Sequence, residues 1–434
     1  MTEPPMKVLM LAWEYPPDHV GGLGRHVRHI SRALSDLGIE VTVLTRGEGN
    51  RTGWERDGDV RVFRVSAYSL HPPDFLTWAV ELNVALLEAF IKEGRCEDFH
   101  LIHAHDWVVA YAARALKHAL NCPLIATIHA TEHGRHGGIH NPLQAHISET
   151  EWWLCYEAWK VICCSNYMKD EIRSLFGVPA DKIEVISNGI SSEWFTTPRQ
   201  EGENPLILYA GRLVPEKGPE TLVEAMPRVL EEFPTATLVL AGSGPLEPAL
   251  RNRIFELGLG RAVSLAGHLD DVRLRDLYSR AWVACFPSSY EPFGIVALEA
   301  MASGTPVVVG DTGGLREIVE HGKDGLRVAP GDPSQLSSAI KALLRDRTWA
   351  RDLAASARRK ALEKYSWETV ACRTLLVYGN VLGQRFGRES RVLRKLPARM
   401  PAGFLRAVLR PATSGEMKQE AAVPQSKEEN SIRS

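Results

Sequence analysis

The chain predicts an α/β fold of two Rossmann-like, doubly wound units facing each other across a cleft. Short apolar runs alternate with helix-period segments throughout, as in parallel sheets covered by helices on both faces. Glycine turns directly follow several of those runs, and the carboxyl ends of parallel strands are where such sheets hold ligands. At 434 residues the chain exceeds one ordinary core, and a polar stretch bounded by Pro198 and Pro205 separates two such alternations.

In the first unit, residues 1–197, residues 7–12 read as a buried strand, 26–37 as a helix ended by Gly38, and 41–45 as the next strand. Residues 54–65 read as a hairpin, since Asp57-Gly58 is favoured turn chemistry, and 101–104 and 124–129 as further strands. A strand at 160–164, a helix at 166–176 and a strand at 183–187 complete the unit. Segment 131–144, rich in histidine and glycine, is expected to be a loop.

After a linker at 198–205, the second unit, residues 206–365, places strands at 206–210, 237–241, 262–266, 281–286, 306–310 and 325–328. Helices at 333–345 and 349–363 close it, and 366–386 reads as a final helix. Segment 387–410 interleaves basic and apolar residues. Such a segment more often packs on its own protein or stays loose, the alternative being peripheral contact with an anionic membrane. The polar residues 411–434 predict disorder.

A hydrophobic content of 44% against 24% charged residues describes an ordinary soluble protein, and a formal charge of −2 argues against a nucleic-acid partner. Seven scattered cysteines without CxxC spacing fit neither a disulfide scaffold nor a zinc site, and suit a reducing cytoplasm. The N-terminus shows no signal-peptide pattern, and no apolar run is long enough to span a membrane.

The densest chemistry lies in residues 287–318. Pro292 biases Glu291 toward extended backbone and suits a helix opening, so Glu291 belongs to a loop and Glu299 to the helix. Backbone N–H groups around Phe293, Gly294 and Ile295 fall between the carboxylates, where a helix start favours an anion. The two carboxylates could therefore hold both ends of a nucleotide sugar. Arg212 and Lys217 leave the end of a strand and form a candidate phosphate clamp. Gly242 repeats the strand-then-glycine arrangement, as do Gly21 and Gly22 in Gly21-Gly22-Leu23-Gly24, where backbone can approach a phosphate or sugar closely. His129 ends a strand on the same edge and can meet a sugar hydroxyl.

The other histidines of this half, His103, His105, His133, His136 and His140, lack an HExxH arrangement, and no metal is assigned to the group. Asp57-Gly58-Asp59 formally matches the Asp-x-Asp of metal-dependent sugar transferases but is given to the hairpin turn.

Taken together, the glycine motif, the run from Arg212 to Gly218 and the E-x7-E pair Glu291 and Glu299 resemble the family 4 retaining glycosyltransferases of the GT-B fold, over residues 6–386. The resemblance implies that Glu291 touches the donor sugar, Glu299 the ribose, and Arg212 and Lys217 the diphosphate. It implies further that Gly21 and Gly22 approach the diphosphate from the other unit, that His129 contacts the sugar near the reacting carbon, and that Asn188, in Ser187-Asn188-Gly189-Ile190, belongs to the same site. The expected reaction is transfer of a hexose, glucose foremost, from a nucleoside diphosphate sugar to a hydroxyl on a glycan, sugar phosphate or lipid.

Neither cofactor nor metal is expected, because basic groups and helix starts balance the phosphate charge. Trp13-Glu14-Tyr15-Pro16-Pro17 is reminiscent of glycogen and starch synthases, although His19 stands where the bacterial forms carry lysine, so α-glucan synthesis is an alternative. A sugar-nucleotide 2-epimerase is the alternative from another class.

Overall fold

A computed structural model describes residues 5–18, 21–49, 51–68, 72–93 and 98–386. The basic segment and tail anticipated at 387–434 lie outside the described residues. Fourteen strands form two sheets among them. The first holds β1 (Lys7–Leu11), β2 (Glu40–Arg46), β3 (Gly53–Asp57), β4 (Val60–Val65), β5 (Leu101–His105), β6 (Leu124–Ile128), β7 (Lys160–Cys163) and β8 (Ile183–Val185). The second holds β9 (Leu206–Ala210), β10 (Thr237–Ala241), β11 (Val263–Gly267), β12 (Val283–Phe286), β13 (Val307–Gly310) and β14 (Leu326–Val328).

The first sheet runs β3-β4-β2-β1-β5-β6-β7-β8, and every pair is parallel except the β3-β4 hairpin. The second runs β11-β10-β9-β12-β13-β14 and is wholly parallel. Strand order reverses between β1 and β5 and again between β9 and β12. The loops leaving β1, β5, β9 and β12 thus gather at the two switch points where open α/β sheets form their ligand crevices. Strand burial follows from helices on both faces, and β5, β6, β12 and β13 are buried at every position.

Three local expectations change. The first helix spans Gly22–Asp36, four residues earlier than expected, so only Gly21 remains outside it, as the N-cap. Buried Glu14 makes this start workable: its carboxylate accepts the N–H groups of Gly21 at 3.2 Å and Gly24 at 3.3 Å, supplying the anion a helix start favours. Segment 131–144 is not a plain loop. Thr131 caps a short helix, Glu132–His136, and Asn141 caps a longer one, Pro142–Glu157. A further helix, Phe75–Lys92, was not anticipated.

The segment 198–205 is pinned rather than loose. Arg199 donates to the carbonyls of Tyr278 and Ala281, and Glu201 pairs with Arg199, Arg347 and Arg351. The last helix, Trp367–Phe386, packs Val370, Leu375 and Tyr378 onto Val8, Met10 and Ile30 beneath the first sheet. The chain therefore passes between the sheets twice, and the two passages touch. Ile190 N–H donates to the Tyr365 carbonyl at 2.7 Å, and Gly189 lies so close to the Trp367 ring that a Cβ there would meet it at 2.5 Å.

Candidate active site

A cleft of about 330 Å³, the scale of a small-molecule site, lies between the carboxyl ends of the two sheets. All twelve residues singled out in the sequence line it. Gly21, Gly22, His129 and Asn188 come from the first sheet's side. Arg212, Lys217, Gly242, Glu291, Phe293, Gly294, Ile295 and Glu299 come from the second.

The E-x7-E segment takes the form its prolines and glycines dictate. Gly294, at φ 107°, is the N-cap of the Ile295–Ala302 helix, a conformation that favours glycine. Glu291 lies in the preceding loop, and the carboxylate accepts from Lys217 Nζ at 2.8 Å. Glu299 lies on the helix and is 2% exposed. Its Oε1 accepts from Arg25 Nη1 at 2.9 Å, while Oε2 is buried with no hydrogen-bond partner among the described residues. Burial pushes the Glu299 carboxyl up to about 7, against the opposing pull of Arg25. A buried carboxylate oxygen without a donor fits a position that a ligand hydroxyl completes.

The glycine turns are shaped by close backbone approach. A Cβ on Gly242, at φ 148°, would lie 1.8 Å from the Gly211 carbonyl oxygen, and one on Gly22 would meet Ile295 across the cleft at 3.2 Å. The N–H groups of Gly21 and Gly24 already serve Glu14, while Gly22 lines the cleft. Arg212 is half exposed and pairs with Glu216 at 3.3 Å, so it stands at the rim while Lys217 stands inside.

His129 follows β6 directly. Its backbone N–H donates to Asp106 Oδ1 at 2.7 Å, and burial lowers its imidazole to about 3, so the ring is neutral at pH 7. Asp106 holds a strained φ of 62°, and burial raises its carboxyl to about 6. Asn188 Oδ1 accepts from His26 Nδ1 at 2.8 Å. Of the other histidines, His103 bonds Tyr378 at 2.7 Å and Thr127 at 2.7 Å, a satisfied core group, and His136 pairs with Glu132 at 3.2 Å.

Sequence reasoning missed Arg25, Arg135, Tyr290 and Asp106. Arg25 was findable, since it follows Gly22 by three positions and shares its helix face. Asp57 and Asp59 do not line the cleft: Asp57 sits in the hairpin turn, held by Arg28, Arg32 and Tyr15.

Two family models match adjacent parts of the chain: glycosyltransferase family 4 over residues 20–194, and glycosyl transferases group 1 over residues 191–361. A glycogen synthase of Mycobacterium tuberculosis is 39% identical, over 86% of this chain and 94% of that protein. An uncharacterised glycosyltransferase of Methanocaldococcus jannaschii is 38% identical, over 86% of this chain and 98% of its own length. Among solved structures, a sucrose-phosphate synthase from Thermosynechococcus elongatus superposes with a TM-score of 0.77 at 26% identity, covering 87% of this chain and all of that one. The fold is therefore GT-B. The match along nearly the whole mycobacterial enzyme and the two adjoining family models establish that this chain belongs to the family 4 glycosyltransferases and is an enzyme of glycosyl transfer.

Proposed function

We propose that this enzyme transfers glucose, with retention and without a metal, from a nucleoside diphosphate glucose to a hydroxyl at the end of an α-glucan. The observation that carries the proposal is the pair of cross-braced carboxylates on one short segment. Glu291 is set by Lys217, Glu299 is set by Arg25, and a helix start lies between them. Glu291 would grip sugar hydroxyls, Glu299 the ribose through Oε2, and Lys217, Arg212 and the N–H groups at Gly294–Ile295 the diphosphate. His129 and Asn188 would meet the sugar from the opposite wall.

In the proposed reaction the bond from the anomeric carbon to the phosphate oxygen breaks while the acceptor oxygen bonds the same face of that carbon. The acceptor proton passes to the departing diphosphate. Catalysis then rests on positioning and on cations facing the leaving group, which is consistent with a neutral His129.

Similarity to a glycogen synthase favours the glucan acceptor over a sugar phosphate or a lipid, and the transferase relatives give no support to an epimerase. No described helix is long and apolar enough to cross a membrane. The test is a mass-spectrometric screen of UDP- and ADP-sugars against short α-glucans, sugar phosphates and lipids, with Glu291→Ala as control. Glucan extension by wild type and its loss in a folded Glu291→Ala protein are expected. Wild-type turnover by that variant would remove the central assignment, and extension of another acceptor class alone would remove the glucan.

A further inference from the structure

A second cluster lies behind the sugar-facing wall of the cleft. His26 is on the Gly22–Asp36 helix, His105 ends β5, and His129 follows β6; because β5 and β6 pair in parallel with His105 opposite Thr127, their ends bring the two rings together. One ring nitrogen from each of the three histidines lies within 4.8 Å of the other two. We propose that His26, His105 and His129 bind a borderline-soft divalent cation such as Zn2+, and that its occupancy inhibits the enzyme.

Three observations carry this. His105 Nδ1 and His129 Nε2 are 3.2 Å apart, and bonds of about 2.0–2.1 Å at a tetrahedral zinc separate ligand atoms by about 3.3–3.4 Å. His26 Nδ1 faces an amide oxygen of Asn188, which can only accept, so Nδ1 carries the proton and the lone pair is on Nε2. That is the outer hydrogen bond by which proteins orient a metal-binding imidazole.

Third, His105 is fully buried and, apart from the Nδ1 that faces His129, no hydrogen bond among the described residues holds its ring, Nε2 having no partner. Neighbouring His103 shows what a purely structural histidine looks like here, with both nitrogens bonded.

Binding would break the hydrogen bond between His105 and His129, with the ring that donates it carrying its proton on its other nitrogen, and would leave a fourth position for water. Inhibition follows because coordination withdraws His129 from the cleft, and this part rests on the sugar-facing role proposed for His129. The cation is not a cofactor of the transfer.

The experiment titrates metal-free, full-length enzyme with Zn2+ against a chromophoric chelator, and with Co2+ read by its visible d–d bands. One ion per chain is expected, with at least tenfold weaker binding in His105→Gln and His105→Asn, both checked for folding by circular dichroism, and unchanged binding in the exposed-site control His140→Gln. No competition with the chelator, or equal affinity in both His105 variants, overturns the site. Should both variants misfold, the wild-type Co2+ spectrum decides: four-coordinate nitrogen bands support the site and octahedral bands overturn it. Glucosyl transfer should fall with Zn2+ and recover with EDTA. Binding without inhibition keeps the site and overturns the inhibitory part, together with the role given to His129.

Discussion

Arg25 reaches across the cleft to Glu299, with its Nη1 2.9 Å from one carboxylate oxygen and Nη2 2.6 Å from Asp271. The guanidinium thereby occupies one oxygen of a buried carboxylate and leaves the other open. With the Glu299 carboxyl pushed up to about 7, nucleotide affinity should rise as pH climbs from about 6 to about 8 and that carboxylate ionises. Calorimetric titration with UDP and ADP should show a gain approaching tenfold across this window in wild type beyond that in Glu299→Gln. The variant should also bind about tenfold more weakly at the upper pH. Identical pH profiles for the two proteins would detach Glu299 from the nucleotide.

Gly134 and Tyr290 meet where the two sheets' loops approach. The Tyr290 hydroxyl accepts the Thr131 N–H at 3.3 Å and donates to Glu171 at 3.0 Å, while a Cβ on Gly134 would lie 2.4 Å from the Tyr290 ring. Gly134→Ala should hold these loops apart and lower kcat/KM by about 10²-fold, the cost of misplacing reacting groups by about 1 Å. Trimming the ring in Gly134→Ala/Tyr290→Ala should restore part of the loss. Wild-type kinetics in the single variant would show that this approach is not needed for turnover.

Glu151, on the Pro142–Glu157 helix, is buried, and both its carboxylate oxygens accept the Glu132 N–H, at 2.9 and 3.1 Å. Burial raises its carboxyl to about 8 from an ordinary 4.5, so folding favours the protonated form. Its contribution is fully present below about 4.5 and is lost as pH rises through about 8. Urea unfolding should therefore find Glu151→Gln gaining on wild type as pH increases across this range, with the two closest at the acidic end. A gap independent of pH would show that Glu151 is ionised throughout.

Much of this was readable in one dimension because the parallel strands are buried on both faces. Runs such as Leu206–Ala210 and Thr237–Ala241 stand out against polar flanks, and the residues just past their ends fall at the cleft without further information. The helices Phe75–Lys92 and Pro142–Glu157 escaped notice for the converse reason. Val80, Val84 and Ile91 on one, and Leu143, Trp152 and Tyr156 on the other, place apolar groups on the solvent side and blur the amphipathic period.

The early helix start at Gly22 depends on Glu14, eight positions before it, whose anion offsets the poor helix propensity of glycine. Arg25 and Glu299 lie 274 positions apart, and no local pattern encodes such a pair. The same holds for the histidine cluster, whose members looked separate until β5 and β6 aligned them.

The contact between Ile190 and Tyr365, where the two crossings of the chain lie side by side, has a mechanical consequence. Covalent tethers gathered on one side act as the spine of a book, so the halves can part only by swinging about it. Asn188, two residues from that contact, travels little during such a swing, whereas the ring of Tyr290 must part from Gly134 and Thr131. A swing of this kind opens the cleft from the Tyr290 side and leaves the groups beside Ile190 and Tyr365 aligned.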